Sequence, residues 1–338
     1  MNKETLIAKA QTRLDSILKL AFNHTRQNKA VIVYDERSEL SSVLARAYER
    51  CLPEATFVDF DKQSPEETLA ILSSLEADDF VALVQSTNFR LDAFRIRVEL
   101  FKRDIKVLEH PHLVRMSKEE IPHYVNALEY DSEYYRGVGN SLKTKINEAS
   151  FASLESGGEL LLYDCAFEDA KLNVGDYSQM KNVGGQFPIG EVFTEAKDLK
   201  ALNGRVKIFA FGDASYRVNL PKTPITLVIK EGQVVDCENS TPDFDQILFT
   251  IREDEEVVWV RELGLGLNRA FTKTNVVGDI GAYERMCGVH FSLGAKHGMY
   301  GKPGFKRGDG KYHVDVFADT NVFKLNDEIV YKEGAWVV

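Results

Sequence analysis

Near the end of the chain, a histidine and an aspartate are separated by one apolar residue, in the order His313, Val314, Asp315. In an extended segment alternate side chains project to the same side, so this imidazole and this carboxylate face the same way. Such a pair could ligate a metal ion, and it could equally lie at a polar strand edge and be satisfied by hydrogen bonds. The pattern alone leaves both interpretations open.

A second histidine lies upstream in a segment with the same alternation. His290 stands within Gly288–Gly294, between two apolar residues. If this segment and the one that carries His313 and Asp315 form neighbouring strands, two imidazoles and one carboxylate converge. This ligand set suits zinc, cobalt, manganese or ferrous iron.

Two glutamates extend this set. Glu191 follows Gly190 at the start of a β-prone run, and Glu262 precedes the alternating leucines and glycines of 263–267. A carboxylate in so apolar a strand needs a partner, because burying a lone charge is costly. Taken singly, each glutamate could be an N-cap, a turn residue or a member of an ion pair. Together with the histidines and the aspartate they could hold two divalent ions with a carboxylate between them.

Composition limits the class of protein. The chain has 338 residues, of which 44% are apolar and 28% charged, and this length favours two domains with a large core. A net charge of -10 argues against nucleic acid as a partner, since phosphate binding needs a basic surface. No apolar run is long enough for a membrane span, and the first residues are charged, so we expect a cytoplasmic protein without a membrane partner.

Residues 1–149 alternate strand and helix patterns. Strands separated by helices, and apolar on both faces, predict an α/β domain with a parallel, doubly wound sheet. The last predicted helix is Arg90–Lys102. The predicted strands are Ala30–Tyr34, Ala55–Asp59, Phe80–Val84 and Ile105–Leu108.

This first domain lacks the features of a nucleotide site. The segment Tyr34–Glu39 has no glycine and places two carboxylates where a phosphate would lie, so we expect no dinucleotide cofactor. His110 and His112 follow the last predicted strand, where open α/β sheets place their ligands. They could face a cavity or belong to a plain loop.

Residues 150–338 are predicted to form a larger, β-rich α+β domain that carries every candidate metal ligand. The acidic cluster Glu253–Glu256 is interpreted as solvated on a turn. Lys302, Lys306 and Arg307 are interpreted as a surface group that could meet a substrate carboxylate. The predicted strands are Ser150–Leu154, Glu159–Tyr163, Arg205–Ala210, Ile225–Ile229 and Glu256–Val260.

These motifs, in this order, resemble the aminopeptidase T family, also called the thermophilic metallo-aminopeptidases. The resemblance extends over roughly residues 150 to 338, and it is carried by Gly190–Phe193, Glu262–Asn268, Val289–Gly294 and His313–Asp315. It implies that two divalent metal ions, zinc, cobalt or manganese, are bound by Glu191, Glu262, His290, His313 and Asp315. It further implies a homodimer with a large internal cavity, acting on short peptides to release N-terminal residues.

Two departures from the family keep a second function open. His297 stands where the family has a tyrosine that assists the site, so His297 or Tyr300 could take that role. The chain is also shorter than typical aminopeptidases of the family. Its length is closer to that of the 2,5-dihydroxypyridine dioxygenases, which share the fold and bind one ferrous ion through two histidines and one aspartate. His290, His313 and Asp315 could form that triad on a small aromatic substrate.

Candidate catalytic roles follow from the resemblance to the hydrolases. With bound cations activating a water, a carboxylate such as Glu191, or His297, would move protons. Glu284 could bind the free amine of the substrate or orient His290, and it could instead form a surface ion pair with Arg285. A third hypothesis is a structural metal in a protein that sequesters small molecules. We place it last, because structural zinc sites prefer cysteine and histidine.

Overall fold

In the computed structural model, which describes residues 2–91, 95–178, 180, 182–302, 305 and 310–338, contacts divide the chain into two compact units. The first unit contains Met1–Arg136, Gly175–Ile189 and Asn275–Ala282, and the second contains Gly137–Val174, Gly190–Thr274 and Tyr283–Val338. The division into domains 1–149 and 150–338 stays a prediction, because grouping by contact does not test which segments fold independently.

Helices and strands alternate early in the chain, and strands dominate afterwards. The helices are α1 (Lys3–Leu20), α2 (Glu39–Cys51), α3 (Pro65–Ser73), α4 (Ile96–Phe101), α5 (Ile121–Ala127), α6 (Ser132–Glu148), α7 (Pro242–Glu255) and α8 (Ile280–Tyr283). The strands are β1 (Ala30–Tyr34), β2 (Thr56–Asp59), β3 (Phe80–Val84), β4 (Lys106–His110), β5 (Ala152–Ser156), β6 (Glu159–Tyr163), β7 (Lys171–Asn173), β8 (Gly184–Gln186), β9 (Glu191–Glu195), β10 (Leu202–Gly212), β11 (Val218–Asn219), β12 (Ile225–Lys230), β13 (Gln233–Glu238), β14 (Val260–Gly266), β15 (Gly288–Leu293), β16 (Val314–Ala318), β17 (Thr320–Leu325), β18 (Glu328–Lys332) and β19 (Ala335–Trp336).

The first unit contains a parallel sheet in the order β2-β1-β3-β4-β8. Every residue of β3 is buried, as expected of a strand covered on both faces. The α/β class and the parallel sheet are therefore confirmed, and β1 and β3 have the predicted bounds. Of the predicted helix Arg90–Lys102, residues 92–94 lie outside the described residues, and α4 accounts for most of the rest. None of the helices in the described part of the chain has the length and apolarity that a membrane crossing requires.

The fifth strand of this sheet, β8, was not predicted from the sequence. It pairs with β4 in the register Val107 to Gly184 and Leu108 to Gly185. A Cβ atom on Gly184 would overlap with the carbonyl oxygen of Val107, so only glycine permits this close approach. Because glycines are depleted in strands, local propensity hides this one.

A carboxylate occupies the position in the first unit where nucleotides bind to many doubly wound sheets. Asp35 follows β1, beside β3, where the strand order reverses. Its Oδ1 accepts the backbone N–H of Arg37 at 3.0 Å, and its Oδ2 accepts that of Ser86 at 2.8 Å. These N–H groups are therefore already bonded to an anionic oxygen of the protein itself.

His110, the last residue of β4, is buried in a hydrogen-bond network instead of facing a cavity or a loop. Its Nδ1 lies 3.2 Å from the carbonyl oxygen of Phe187, which can only accept, so Nδ1 carries the proton. Its Nε2 then accepts the hydroxyl of Tyr48 at 3.0 Å. Burial lowers the pKa of His110 to about 3, although the Phe187 carbonyl opposes this effect.

The low pKa of His110 predicts a loss of stability in acid. Between its ordinary value near 6.5 and about 3, the unfolded chain binds a proton here that the folded chain does not. Stability is therefore full above the ordinary value and falls with pH by up to about 1.4 kcal/mol per pH unit. His110→Gln should be less stable at pH 8 but should lose less stability down to pH 4. Urea unfolding of both proteins across this range measures the difference, and parallel curves would contradict it.

The second unit contains a large antiparallel sheet in the order β19-β18-β17-β5-β6-β10-β16-β15-β14-β9-β7, with β11 and β12 also paired to β10 and β13 paired to β12. The predicted β-rich second half is confirmed. The predicted strand Glu256–Val260 is wrong, because α7 extends to Glu255, Glu256 caps this helix and β14 begins only at Val260. The acidic cluster Glu253–Glu256 accordingly lies mostly in the last turn of α7, which was also not predicted.

Candidate metal centre

Three adjacent strands, β15, β14 and β9, present candidate ligands on the same face of the large sheet. Gly264 of β14 pairs with His290 of β15, and Gly266 of β14 pairs with Glu191 of β9. Because side chains alternate along a strand, Glu262 belongs to the same face as these two glycines. The two ligands of the outer strands thus lie opposite glycines of the middle strand, which contributes Glu262.

The fourth strand, β16, completes the arrangement on the other side of β15. Its Asp315 pairs with Ser292, two residues beyond His290 and therefore on the same face. His313 directly precedes β16 and keeps the alternation, as predicted from the spacing. The Nε2 atom of His313 lies 3.1 Å from Oδ1 of Asp315.

The ligand atoms form two clusters that share one carboxylate. The first cluster is Glu191, Glu262 and His290, and the second cluster is Glu262, His313 and Asp315. Within each cluster, one ligand atom from every residue lies within 4.8 Å of the others. Side chains that are far apart in the sequence are therefore brought together, with Glu262 between the two clusters.

Gly264 provides the space that His290 occupies. A Cβ atom built on Gly264 would overlap with the imidazole ring of His290, which lies directly against the glycine backbone. The histidine is almost fully buried, with 1% of its surface exposed. The alternation of leucine and glycine in β14 thus covers one face with apolar side chains and leaves the other open for the ring.

A bulge in β14 positions Glu262. The register between β14 and β15 shifts between Val260 and Leu263, which takes the backbone N–H of Glu262 out of the regular ladder. The hydroxyl of Ser292 accepts this N–H at 3.0 Å. The glutamate backbone is consequently held by a side chain of the neighbouring strand.

His313 has the tautomer that a metal ligand needs. Its Nδ1 lies 3.2 Å from the carbonyl oxygen of Lys296, so Nδ1 donates its proton. Nε2 then faces Asp315 and the second cluster, and it is the nitrogen that would bind a metal ion once it has lost its proton. A histidine fixed in this way by a backbone carbonyl is a common arrangement at metal sites.

The clusters are strongly coupled electrostatically. Burial alone would lower the pKa of His290, but contact with Glu191 and Glu262 raises it to about 9. Burial likewise lowers the pKa of His313, but the negative charges of Asp315 and Glu262 outweigh this effect and raise the pKa of His313 to about 10. Burial raises the pKa values of Glu191 and Asp315, yet nearby positive charges lower both overall. The site therefore favours cations among its carboxylates.

Several buried polar atoms here have no hydrogen-bond partner among the described residues. They are both ring nitrogens of His290, Nε2 of His297 and Oδ1 of Asp315. His290 Nε2 lies 3.3 Å from Glu191 and 3.9 Å from Glu262 without the alignment of a hydrogen bond. Unsatisfied buried groups are rare, and those of His290 and Asp315 belong to the two clusters, where they suit divalent metal ions.

His297 contacts the carboxylate that the two clusters share. Its Nδ1 accepts the backbone N–H of Met299 at 3.3 Å, which places the proton on Nε2, 3.3 Å from Oε2 of Glu262. Burial, together with nearby positive charges, lowers the pKa of His297 to about 4. The hydroxyl of Tyr300 instead donates to the carbonyl oxygen of Asp169. Of the two candidates for the family tyrosine, His297 is the one beside the clusters.

Glu284 belongs to neither cluster. Its carboxylate contacts the guanidinium of Arg285, the partner considered in the sequence analysis. Arg285 is buried, and its Nη1 also lies 3.2 Å from Oε2 of Glu191. Since Nδ1 of His290 has no partner in the described part of the chain, Glu284 does not orient that histidine in this structure.

A buried arginine holds the segment that carries His297. Arg261 pairs with Glu195, and its side chain is 1% exposed. Its guanidinium also donates to the carbonyl oxygens of Ala295 at 2.6 Å and Tyr300 at 3.3 Å. The guanidinium carbon lies 4.6 Å from the ring centre of Phe305. These contacts fix both ends of the loop around the histidine.

Lys302 is part of the same network and is not the predicted surface residue. Its ammonium group lies 2.5 Å from Glu168 and 3.5 Å from Glu195, with 4% of the side chain exposed. This burial corrects the interpretation of Lys302 as a member of a surface group. The other two members of that group, Lys306 and Arg307, lie outside the described residues.

Glu255 joins the two loops that carry His297 and His313. One oxygen accepts the backbone N–H of Ala295 at 2.7 Å, and the other accepts that of Tyr312 at 3.0 Å. The residue was predicted to be solvated on a turn. Acceptance of backbone N–H groups by a helix-terminal glutamate has no local sequence signal, so this role could not be predicted.

Comparison with known proteins supports the predicted fold. No protein-family model matches the sequence, and no curated protein matches it. Among solved structures, 2,5-dihydroxypyridine dioxygenase from Pseudomonas putida superposes with a TM-score of 0.62 at 15% identity, over 100% of this chain and 98% of the other. Wild-type AmpT (aminopeptidase T) from Thermus thermophilus superposes with a TM-score of 0.59 at 11% identity, over 98% and 99%.

These likenesses concern the fold. The dioxygenase and the aminopeptidase superpose over 100% and 98% of this chain, so the predicted structural resemblance to both is confirmed. Both neighbours are named as enzymes, and the chain has side-chain groups that could hold metal ions. The specific reaction has to be argued from the residues of this chain.

Proposed function

We propose that this protein is a metal-dependent, aminopeptidase-like hydrolase that releases N-terminal residues from short peptides. The observation that carries the proposal is the sharing of Glu262 by two clusters of ligand atoms. A dioxygenase of the mononuclear type needs two histidines and one carboxylate, and has no use for Glu191 and Glu262. Two adjacent clusters with a common carboxylate are the arrangement that two-metal hydrolysis requires.

Each cluster would hold one divalent ion, and zinc, cobalt or manganese would suit these donors. The first cluster offers Glu191, Glu262 and His290, and the second offers Glu262, His313 and Asp315. When bound, such ions polarise a scissile carbonyl and lower the pKa of water towards neutrality. The unsatisfied nitrogen and oxygen atoms of both clusters support this occupancy.

The residues of the chain would position the reactants and move protons. Glu191, whose Oε1 faces His290, would accept a proton from the attacking water. His297, neutral and with its proton on Nε2, would orient Glu262, and the proton that Glu191 has accepted would pass to the leaving amine. Glu284 would act through Arg285 and not through the substrate, because its carboxylate already contacts that guanidinium.

Removal of metal should abolish peptide hydrolysis. After exhaustive chelation, cleavage of leucine amide and short peptides should fall by at least about a hundredfold, because no protein group replaces the Lewis acid. Addition of cobalt, zinc or manganese should restore it. The measurement is the release of free amino acid, with metal counted in the same samples.

An N-acetylated peptide is the matched control, since a hydrolase that selects N-terminal residues should leave it intact. Activity that persists in the metal-free protein would contradict the proposal. So would metal-loaded protein that cleaves no peptide from a broad panel.

A second candidate is a ring-cleaving dioxygenase that binds one ferrous ion through His290, His313 and Asp315. The observation that favours it is the ion pair between Arg285 and Glu191, which partly neutralises one carboxylate of the first cluster. Protein loaded with ferrous iron without oxygen, then exposed to 2,5-dihydroxypyridine, would consume oxygen under this hypothesis. A homodimer, as the resemblance implies, stays a prediction that sedimentation would check.

A further inference from the structure

One positive charge is built into the metal centre. Arg285 is buried, with 6% of its side chain exposed, and it lies at the edge of the first cluster. Its Nη1 is 3.2 Å from Oε2 of Glu191 and also contacts Glu284. Its Nε has no partner among the described residues, so the guanidinium depends on these two carboxylates.

Resting on the proposed function, we infer that Arg285 makes the two clusters unequal, so that the first cluster binds a divalent ion more weakly than the second. Glu191 is shared between the guanidinium and the cluster, with Oε2 towards Arg285 and Oε1 at 3.3 Å from His290. An ion in the first cluster must compete for this carboxylate. It must also approach a fixed positive charge in a poorly screened environment.

The second cluster is less affected by this charge. Among the described residues, the Arg285 guanidinium forms ion pairs with Glu191 and Glu284 and with no member of the second cluster. The field of the guanidinium is therefore concentrated on the first cluster.

The orientation of the histidines also predicts that the second cluster binds a metal ion more tightly than the first. The Lys296 carbonyl fixes the tautomer of His313 in the second cluster. Neither ring nitrogen of His290 in the first cluster has a hydrogen-bond partner in the described part of the chain. A ligand whose ring orientation and tautomer are set in advance binds metal more tightly, typically by about tenfold or more.

Glu284 affects the difference in metal affinity between the two clusters, because it competes with Glu191 for the same Nη1 atom of Arg285. Neutralising Glu284 leaves Arg285 to Glu191 alone, which should weaken the first cluster further. Neutralising Arg285 frees Glu191, which should strengthen the first cluster. The two substitutions therefore have opposite expected signs, although both break the same ion pair.

The test is a zinc titration of the metal-free protein by calorimetry, with a competing chelator for the tight step. Wild type should bind one zinc ion tightly and a second at least roughly tenfold more weakly. Arg285→Gln should tighten the weak step roughly tenfold, Arg285→Lys should leave it near wild type, and Glu284→Gln should weaken it several-fold. The tight step should change little in all three variants.

Two further variants assign the steps, and one serves as a matched control. Glu191→Gln should remove the weak step, and Asp315→Asn should remove the tight one. Arg205 pairs with Glu159 and Glu238 as Arg285 pairs with its two glutamates, but none of these three belongs to either cluster. Arg205→Gln should leave both zinc affinities unchanged.

Equal affinities in wild type, loss of the weak step in Arg285→Gln, or absence of zinc binding would each overturn the inference. If Arg285→Gln does not fold, Glu284→Gln decides by its sign, since its side chain is 22% exposed and tolerates substitution more readily. Tightening, or no change, in that variant overturns the inference. Unequal zinc binding without peptide hydrolysis would support the inference while the proposed function fails.

Discussion

Replacing Glu262 with glutamine should remove both metal ions and reduce peptide hydrolysis by at least about a thousandfold. Among the described residues, Glu262 is the one that belongs to both clusters, so its neutralisation weakens both ligand sets at once. Its Oε2 also lies 3.3 Å from Nε2 of His297. An amide has one acceptor oxygen and no charge, so it would be a poor ligand for the ions that the two clusters would hold.

Metal content after dialysis and the rate of amino-acid release measure this effect. Glu159→Gln is the matched control, because Glu159 lies in the same sheet, pairs with Arg205 and belongs to neither cluster. The metal-free Glu262→Gln protein should melt close to metal-free wild type, since the lost attraction to His290 and His313 is offset by relief of repulsion from the other carboxylates. Retention of both ions by a folded Glu262→Gln protein would refute the shared-carboxylate arrangement.

The sequence predicts those parts of the site that depend on strand alternation. His313 and Asp315 share a face because one residue separates them, and the structure places their side chains 3.1 Å apart. The same reasoning places His290 and Ser292 on one face of β15. Alternation does not state which strands are neighbours, so the meeting of Glu191 with Glu262 rested on the resemblance of the motifs to a family.

The residues that support the ligands could not be predicted, because their partners come from distant loops. Arg261 is adjacent to Glu262 in the chain, yet its function depends on Glu195 and on the carbonyl oxygens of the loop around His297. Glu255 resembles any acidic helix end until the loops at Ala295 and 312 are in place. Charge patterns of this kind are ordinarily solvated faces, and only tertiary structure distinguishes the exceptions.

The glycines of this chain predict a structural feature where they alternate with apolar residues along a strand. In β14 the glycines at 264 and 266 share a face with Glu262, and that pattern indicates a surface that something else must cover. The paired glycines of β8 have no such alternation, and their sheet pairing was missed. The difference is that a neighbour's side chain fills the space at Gly264, whereas a neighbour's backbone fills it at Gly184.

Replacing Gly264 with alanine should have the second large effect on metal binding and hydrolysis, because the space above this glycine is occupied by His290. The added methyl group would overlap with the His290 ring, so the ring must leave the first cluster or the strands must separate. We expect loss of the first-cluster ion, at least about a hundredfold slower hydrolysis and about 1 to 3 kcal/mol of destabilisation from overpacking. Metal counting, peptide cleavage and urea unfolding measure the three effects.

Alanine variants at two other glycines distinguish displacement of the His290 ring from a general loss of stability. Gly137→Ala adds a methyl group to open space in α6 and should change neither metal content nor hydrolysis. Gly266→Ala overlaps with the backbone of Met286, so it should destabilise the fold without a direct clash with His290. In the double variant Gly264→Ala with His290→Ala, the clash is absent, and stability should recover towards that of His290→Ala alone. Additive losses of stability in this cycle would show that the methyl group and the ring do not compete for the same space.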